Sequence, residues 1–336
     1  MSIPVNISAS RGAGILGLSK WSTPVQEFLK IMGEDWCIKS GYEFPVVEYS
    51  SVMRWGHAFE SAIIELAESK NNSKIIDREK LFEKDFISCH IDGYYNFSNP
   101  KFITTRTLHE GKTTSAFYFK DNFGIPGTDQ VPIEYQIQCQ HQMICTGAEK
   151  VILSVLVFPK MVDEWESMGW VADKNISGEY RLFKDKMEVN PIEWAFILND
   201  MGYFHQYEIS AHPELQKLMI EKYTSFWNDH VLTGIPPKPK SYDDIKALVR
   251  EPVGTIIADE EITNLMAEYK QIKQELGSSG NLSNRAEMIK VEILNYMRDK
   301  EKIDDDDSQD KFILRGQDGK RLASYSKNKK GSYVFR

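Results

Sequence analysis

Eight consecutive residues, Val151-Ile152-Leu153-Ser154-Val155-Leu156-Val157-Phe158, carry only one polar side chain. A strand with one face in water alternates apolar and polar residues, so a run this uniform fits a strand covered on both faces. Such a strand calls for layers above and below it, and the flanking sequence supplies them. Residues 51–69 place Trp55, Phe59, Ile63 and Leu66 at helical spacing, and residues 131–146 read as a second helix. Between them, 74–82, 86–96 and 101–112 read as strands of one antiparallel meander. Turn signals fall at Asp92-Gly93 and at Asn96-Phe97-Ser98-Asn99-Pro100. Helix, meander, helix, strand predicts an α/β fold with a mixed central sheet flanked by helices.

The remaining segments are more mixed. Thr23-Pro24-Val25-Gln26 reads as a capped helix start, and Gly33 stops that helix. Glu179-Tyr180-Arg181-Leu182-Phe183 reads as a strand, and residues 206–232 as a helix. Pro236-Pro237-Lys238-Pro239-Lys240 cannot continue a helix and marks a linker. Beyond it, 259–276 and 283–300 form a predicted helical hairpin around a Gly-Ser-Ser-Gly turn. Asp304 to Asp307 is a solvated acidic run, and 311–315 with 321–326 pair as a basic hairpin across Asp318-Gly319. The expected organisation is one domain over 1–235 and a C-terminal helical and small β extension over 241–336.

Composition narrows the class. Hydrophobic and charged fractions of 41% and 27% suit a globular domain, and no apolar stretch reaches the roughly 18 residues that span a bilayer. The N-terminus has neither a basic region nor an apolar core, so a cytoplasmic protein is expected. Cys37, Cys89, Cys139 and Cys145 are scattered without a CxxC pair, which argues for reduced thiols and against zinc, disulfide or iron–sulfur frameworks. The net charge is −8, yet residues 311–336 hold eight basic side chains against Asp318 alone. That balance argues against indiscriminate coating of nucleic acid, while a basic groove stays compatible with it.

The chemistry-bearing pattern is Asp92-Gly93 followed by Glu110-Gly111-Lys112. In an extended strand Glu110 and Lys112 project to the same side, so two carboxylates and an amine can converge. Oxygen ligands of that kind suit Mg²⁺, with a lysine beside a water that attacks a phosphodiester. The alternative is a turn aspartate and a surface salt bridge. Glu60, at the edge of the 51–69 stripe, and the glutamines of Gln136-Ile137-Gln138-Cys139-Gln140-His141-Gln142 flank the pattern. Gln138 and Gln140 point about 200° apart on a helix and cannot share one role. His57, His90, His109 and His141 lie near the motifs without an HxxxH pair, and Gly12, Gly14 and Gly17 lack a following Gly-Lys-Ser/Thr, so neither a histidine-bound zinc nor a nucleotide-binding loop is expected. Ser8, Ser10 and Arg11 precede an apolar helix, where hydroxyls and free amides either cap the helix or receive an anion.

Taken in order, Ser8-Ala9-Ser10, Gly14 to Ser19, Trp55-Gly56 with Glu60, Asp92-Gly93, Glu110-Gly111-Lys112 and Gln138-Cys139-Gln140 resemble the PD-(D/E)xK nucleases, specifically the YqaJ-like and lambda-exonuclease-like viral recombination exonucleases. The resemblance spans roughly residues 7–158. It implies a restriction-endonuclease-like core and a catalytic set of Glu60, Asp92, Glu110, Lys112 and Gln138. Asp92, Glu110, the carbonyl of Gly111 and Glu60 would hold Mg²⁺, or Mn²⁺ in its place, as two ions per site. Ser8 and Ser10 would bind a DNA 5′-phosphate, with Arg11 added from the residues themselves and Gln140 in support. The implied activity is 5′→3′ digestion of linear double-stranded DNA, leaving 3′ single strands for phage-type recombination. A ring of identical subunits and a single-strand annealing partner, in a phage-encoded or bacterial cytoplasmic setting, are implied with it. The rivals are an endonuclease or end-trimming nuclease on the same core, or a catalytically silent DNA-binding scaffold.

Overall fold

A computed structural model describes residues 6–46, 49–96, 106–249, 252–275, 280–303 and 310–336. The turn expected at 97–100, the start of the strand expected from 101, the Gly-Ser-Ser turn at 277–279 and the acidic run 304–307 lie outside the described residues. Two compact units are present: Asn6–Ser19 with Val46–Thr224, and Lys20–Pro45 with Ser225–Arg336. This division cuts the sequence differently from the 1–235 and 241–336 segments. The cause is local: the capping box of the Pro24–Met32 helix is continued by Asp244, fully buried, which accepts from the Thr23 hydroxyl at 2.5 Å and from the Lys240 and Ser241 amides.

Among the described residues the larger unit carries strands β1 (Ile7–Ser8), β2 (Lys74–Ile76), β3 (Lys80–Lys84), β4 (Ile87–Ile91), β5 (Gly93–Asn96), β6 (Thr107–Ser115), β7 (Lys150–Phe158), β8 (Trp170–Lys174), β9 (Tyr180–Lys184), β10 (Met187–Val189) and β11 (Phe204–Ser210). Its main sheet has the order β11-β7-β6-β5-β2, with β6 and β7 parallel and the other pairs antiparallel. The sheet is mixed and flanked by helices, as the apolar run demanded. Along β7, Ile152, Leu156 and Phe158 face the Ser51–Asn71 helix side, while Val151, Leu153, Val155 and Val157 pack with Cys139 and Met143 of the Ile133–Thr146 helix. Ser154, the polar exception, is buried and accepts from Gln206 at 3.0 Å, so its hydroxyl is satisfied within the layer.

The meander expected over 74–112 is split between two sheets. The hairpin β3–β4 joins β1 in a separate sheet of order β1-β4-β3, and only β2, β5 and β6 enter the main one. The division falls at Asp92-Gly93, where Gly93 takes φ +146, a conformation that L side chains rarely adopt. Segment 206–232 also differs from expectation. Its first residues belong to β11, antiparallel to β7, and the helix is Pro213–Phe226, continued by a wider turn over Trp227–Val231. Tyr207 and Ile209 alternate with exposed residues at strand spacing, and pairing with the buried β7 makes this stretch a strand.

The second unit carries β12 (Gly254–Ile257), β13 (Lys311–Arg315), β14 (Arg321–Lys327) and β15 (Tyr333–Phe335) in that order, with β13–β14 forming the expected basic hairpin. Helices Glu260–Glu275 and Gly280–Asp299 accompany them. Among the described residues no helix is long and apolar enough to cross a membrane.

Replacing Gly93 by alanine would put a Cβ 2.4 Å from the Ile75 side chain and 2.8 Å from the Ile76 carbonyl, at a φ that disfavours it. Gly93→Ala is expected to destabilise its unit by about 3 kcal/mol, read from the urea unfolding transition.

Candidate active site

Strand alternation decides which face each residue of β6 serves. Glu110 and Lys112 project together, and Lys112 donates to Glu110 at 2.6 Å. His109 and Gly111 turn to the opposite face, where a Cβ on Gly111 would lie 3.1 Å from Ile63 of the Ser51–Asn71 helix and 3.5 Å from Asp92. Asp92, at the break between β4 and β5, accepts from the Gly111 amide at 2.7 Å. A backbone donor on β6 thus fixes the carboxylate delivered by a different strand.

The Ile133–Thr146 helix completes the site from the side. Gln138 donates to Glu110 Oε1 and Gln142 to Glu110 Oε2, both at 2.6 Å. Glu110 is 2% exposed, so these donors and Lys112 replace the water that its charge has lost. An open cleft of about 420 Å³ is lined by Asp92, Glu110, Gly111, Lys112 and Gln138, with His57 and Glu60 from the Ser51–Asn71 helix. Glu60, half exposed, lies 3.4 Å from His57 Nδ1. The five residues expected to act together therefore share one cleft.

The electrostatics of the cleft are those of negative charge held out of water. Burial, then the charge of Glu110, pushes the Asp92 carboxyl up to about 8, against the pull of Lys112 and the Gly111 amide. Burial favours a neutral Lys112, but Glu110 and Asp92 outweigh it and hold the ammonium above the usual lysine range. His109 is driven the other way: burial and then Arg78 lower it to about 3, so its imidazole is neutral.

Among the described residues no group of three or more His, Cys, Asp or Glu side chains is drawn together as a metal cage. Mg²⁺ does not need one, since it keeps several waters and is held by one or two carboxylates with substrate phosphates. The hard oxygens of Asp92 and Glu110, and the reluctance of Asp92 to ionise beside Glu110, fit a divalent cation that would take the place of the proton.

Other expected residues lie elsewhere. Gln140 is buried and fully engaged, donating to the Ser210 carbonyl and accepting from the His212 amide and Gln216, so it fastens its helix to the end of β11 and does not reach the cleft. Ser8 ends β1, paired with β4, and its hydroxyl is 3.3 Å from that of Ser10. The apolar helix expected after Arg11 is a single turn, Gly12–Ile15, preceded by a 3₁₀ turn over Ala9–Arg11 without a side-chain cap. Ser8, Ser10 and Arg11 are absent from the lining of the Asp92 cleft. Conversely, Gln142, His57, His109 and Thr113 belong to the site without having been singled out for it. For Gln142 the signal was available, because it stands one helical turn from Gln138.

Comparison with known proteins follows the same residues. Positions 4–149 match the family model of the YqaJ-like viral recombinase domain. Over this segment the chain is similar to YqaJ-like domains. The protein YqaJ of Bacillus subtilis (strain 168), which is uncharacterized, is 23% identical over 304 residues, covering 88% of this chain and 76% of its own. An alkaline exonuclease from Laribacter hongkongensis is 14% identical, with a TM-score of 0.40 over 68% of this chain and 89% of that one. A phage related exonuclease from Haemophilus somnus 129PT is 13% identical, with a TM-score of 0.40 over 69% and 97%. Scores of this size transfer no residue and no role to this chain, whose site is defined by its own geometry.

The raised Asp92 carboxyl has a consequence for folding. A carboxyl that holds its proton more tightly when folded stabilises below the unfolded value and loses that contribution as pH rises to the folded one. With divalent cations removed by chelation, stability is expected to fall between about pH 4 and pH 8. Asp92→Asn should flatten that fall, measured as urea midpoints over a pH series.

Proposed function

We propose that this chain is a Mg²⁺-dependent exodeoxyribonuclease that digests linear duplex DNA from 5′ to 3′ and leaves a 3′ single strand for recombination. One observation carries the proposal: Asp92, Glu110, Lys112 and Gln138, delivered by a strand break, a strand and a helix, line a single open cleft. The YqaJ-like match over residues 4–149 supports the recombination setting. A single-strand annealing partner and a ring of subunits belong to the same proposal.

Asp92 and Glu110, with the carbonyl of Gly111 and with Glu60 at the half-exposed edge, would hold the cation. When bound, it supplies Lewis-acid polarisation of the phosphodiester and draws water toward ionisation. Lys112 keeps its proton at neutral pH, so it serves as a donor that orients the attacking water and offsets charge gathering on phosphorus. Gln138 and Gln142 hold the Glu110 carboxylate in one orientation, and the Gly111 amide does the same for Asp92. Water then attacks in line, and no covalent bond to the protein forms.

Linear duplexes labelled at either end, with Mg²⁺ or chelator, test the proposal. Label should be released first from the 5′ end and only with the metal. Asp92→Asn, Glu110→Gln and Lys112→Ala should each slow release by about 10²–10⁴-fold. Cleavage at the parental rate by Lys112→Ala would overturn the site assignment, and rapid loss of closed circles without prior nicking would overturn exonuclease action. In a parallel comparison Gln142→Ala, which strips a donor from Glu110 Oε2, should weaken Mg²⁺ binding by about tenfold in a calorimetric titration, whereas Gln140→Ala should leave that affinity unchanged.

A further inference from the structure

At the mouth of the cleft three rings lie nearly parallel. Tyr49 and His57 have centroids 5.7 Å apart at 18°, Tyr49 and Tyr180 5.4 Å apart at 21°, and His57 and Tyr180 5.6 Å apart at 22°. Elsewhere in this unit Trp165, Trp170 and Trp194 meet edge to face at 81–84°, while Trp55 stacks on Phe59 at 15° inside the core, so what sets the triad apart is its place at the cleft and not stacking alone. Two of the three rings are open to water, while Tyr180 is partly buried against the core. Tyr49 is 39% exposed and the His57 side chain 50%.

The arrangement is held from behind. Arg54, one turn into the Ser51–Asn71 helix, donates to the Tyr49 carbonyl at 3.1 Å, to the Ala172 carbonyl of β8 at 3.2 Å and to the Ser51 hydroxyl at 2.8 Å. One guanidinium thereby ties the segment carrying Tyr49 to the hairpin carrying Tyr180, since Ala172 of β8 pairs with Leu182 of β9. His57 lines the same cleft as Asp92, Glu110 and Lys112, so the triad adjoins the cleft through that ring. The Lys174 ammonium stands 5.3 Å from the Tyr180 centroid, a cation beside the rings.

We propose that Tyr49, His57 and Tyr180 form a stacking platform for a nucleobase next to the phosphodiester held in the cleft, with Lys174 serving the flanking phosphate. The proposal rests on the nuclease reading above. These are positioning residues: they grip a base by its π-face, which every base has, so the platform tolerates any sequence while requiring that a base be present. A nucleotide lacking its base would lose the contact.

The test uses the full chain and duplexes carrying 2-aminopurine at the terminal nucleotide of either strand or mid-duplex, with Ca²⁺ in place of Mg²⁺. Stacking quenches the fluorescence of this base. Binding should quench it at one position, and Tyr49→Leu/Tyr180→Leu should abolish the quench and weaken binding by about tenfold. Tyr49→Phe/Tyr180→Phe, which keeps the rings, should retain both, and melting curves establish that both variants fold. An abasic residue at the quenched position should raise the KM of the parent protein and leave that of the leucine variant unchanged. Quenching that survives in the leucine variant, or DNA cleaved with Mg²⁺ without quenching, would overturn the platform while leaving the nuclease reading intact. Failure to bind or cleave any of the duplexes would overturn both.

Discussion

Glu110 is a carboxylate removed almost entirely from water, and a charge so placed persists only while donors replace the solvent. Lys112, Gln138 and Gln142 do so, and each makes a separate demand on the fold. Lys112 needs the strand alternation of β6. The two glutamines need the Ile133–Thr146 helix at a fixed height and rotation above that strand. Parallel pairing of β6 with the buried β7 sets the height, because Glu110 is held in register with Leu153, whose side chain packs under the helix. The apolar strand and the polar cleft are therefore parts of one constraint.

The second constraint is the interruption at Asp92-Gly93. A continuous strand through residues 86–96 would place Asp92 by pleat alone. The turn out of one sheet into another places it at an end, where its carboxylate can reach the Gly111 amide. Gly93 provides the backbone freedom and Gly111 the close approach. Both glycines of the two short motifs thus have steric reasons to be glycine that are independent of any ligand.

Much of this was legible in the residues. The apolar run predicted a covered central strand, the capping box at Thr23 formed as written, and the Glu-x-Lys spacing put both side chains on one side. What was hidden depended on rotation and pairing. Gln140 and Gln142 are equally plausible by composition, but on a helix Gln142 lies only about 40° from Gln138 while Gln140 lies on the far side. Periodicity cannot tell which glutamine faces the sheet until the strand beneath is known. Residues 206–210 were misread for a related reason, since five residues with two apolar side chains are too short to separate from the helix that follows until β7 offers a partner. The ring triad was invisible altogether, because Tyr49, His57 and Tyr180 are brought together by a helix start and a hairpin far apart in sequence.

Charge links the cleft to the composition of the chain. A site built from the carboxyls of Asp92, Glu110 and Glu60, with the Lys112 ammonium already held by Glu110, offers a phosphate backbone little attraction, and a net charge of −8 adds none. On the proposed reading a divalent cation would answer both problems at once, offsetting the carboxylates and receiving the phosphate. Contacts that do not depend on charge then gain importance, because they can hold a nucleotide at an acidic mouth. Parallel aromatic rings at that mouth are such a contact, which ties the shape of the rim to the chemistry of the floor.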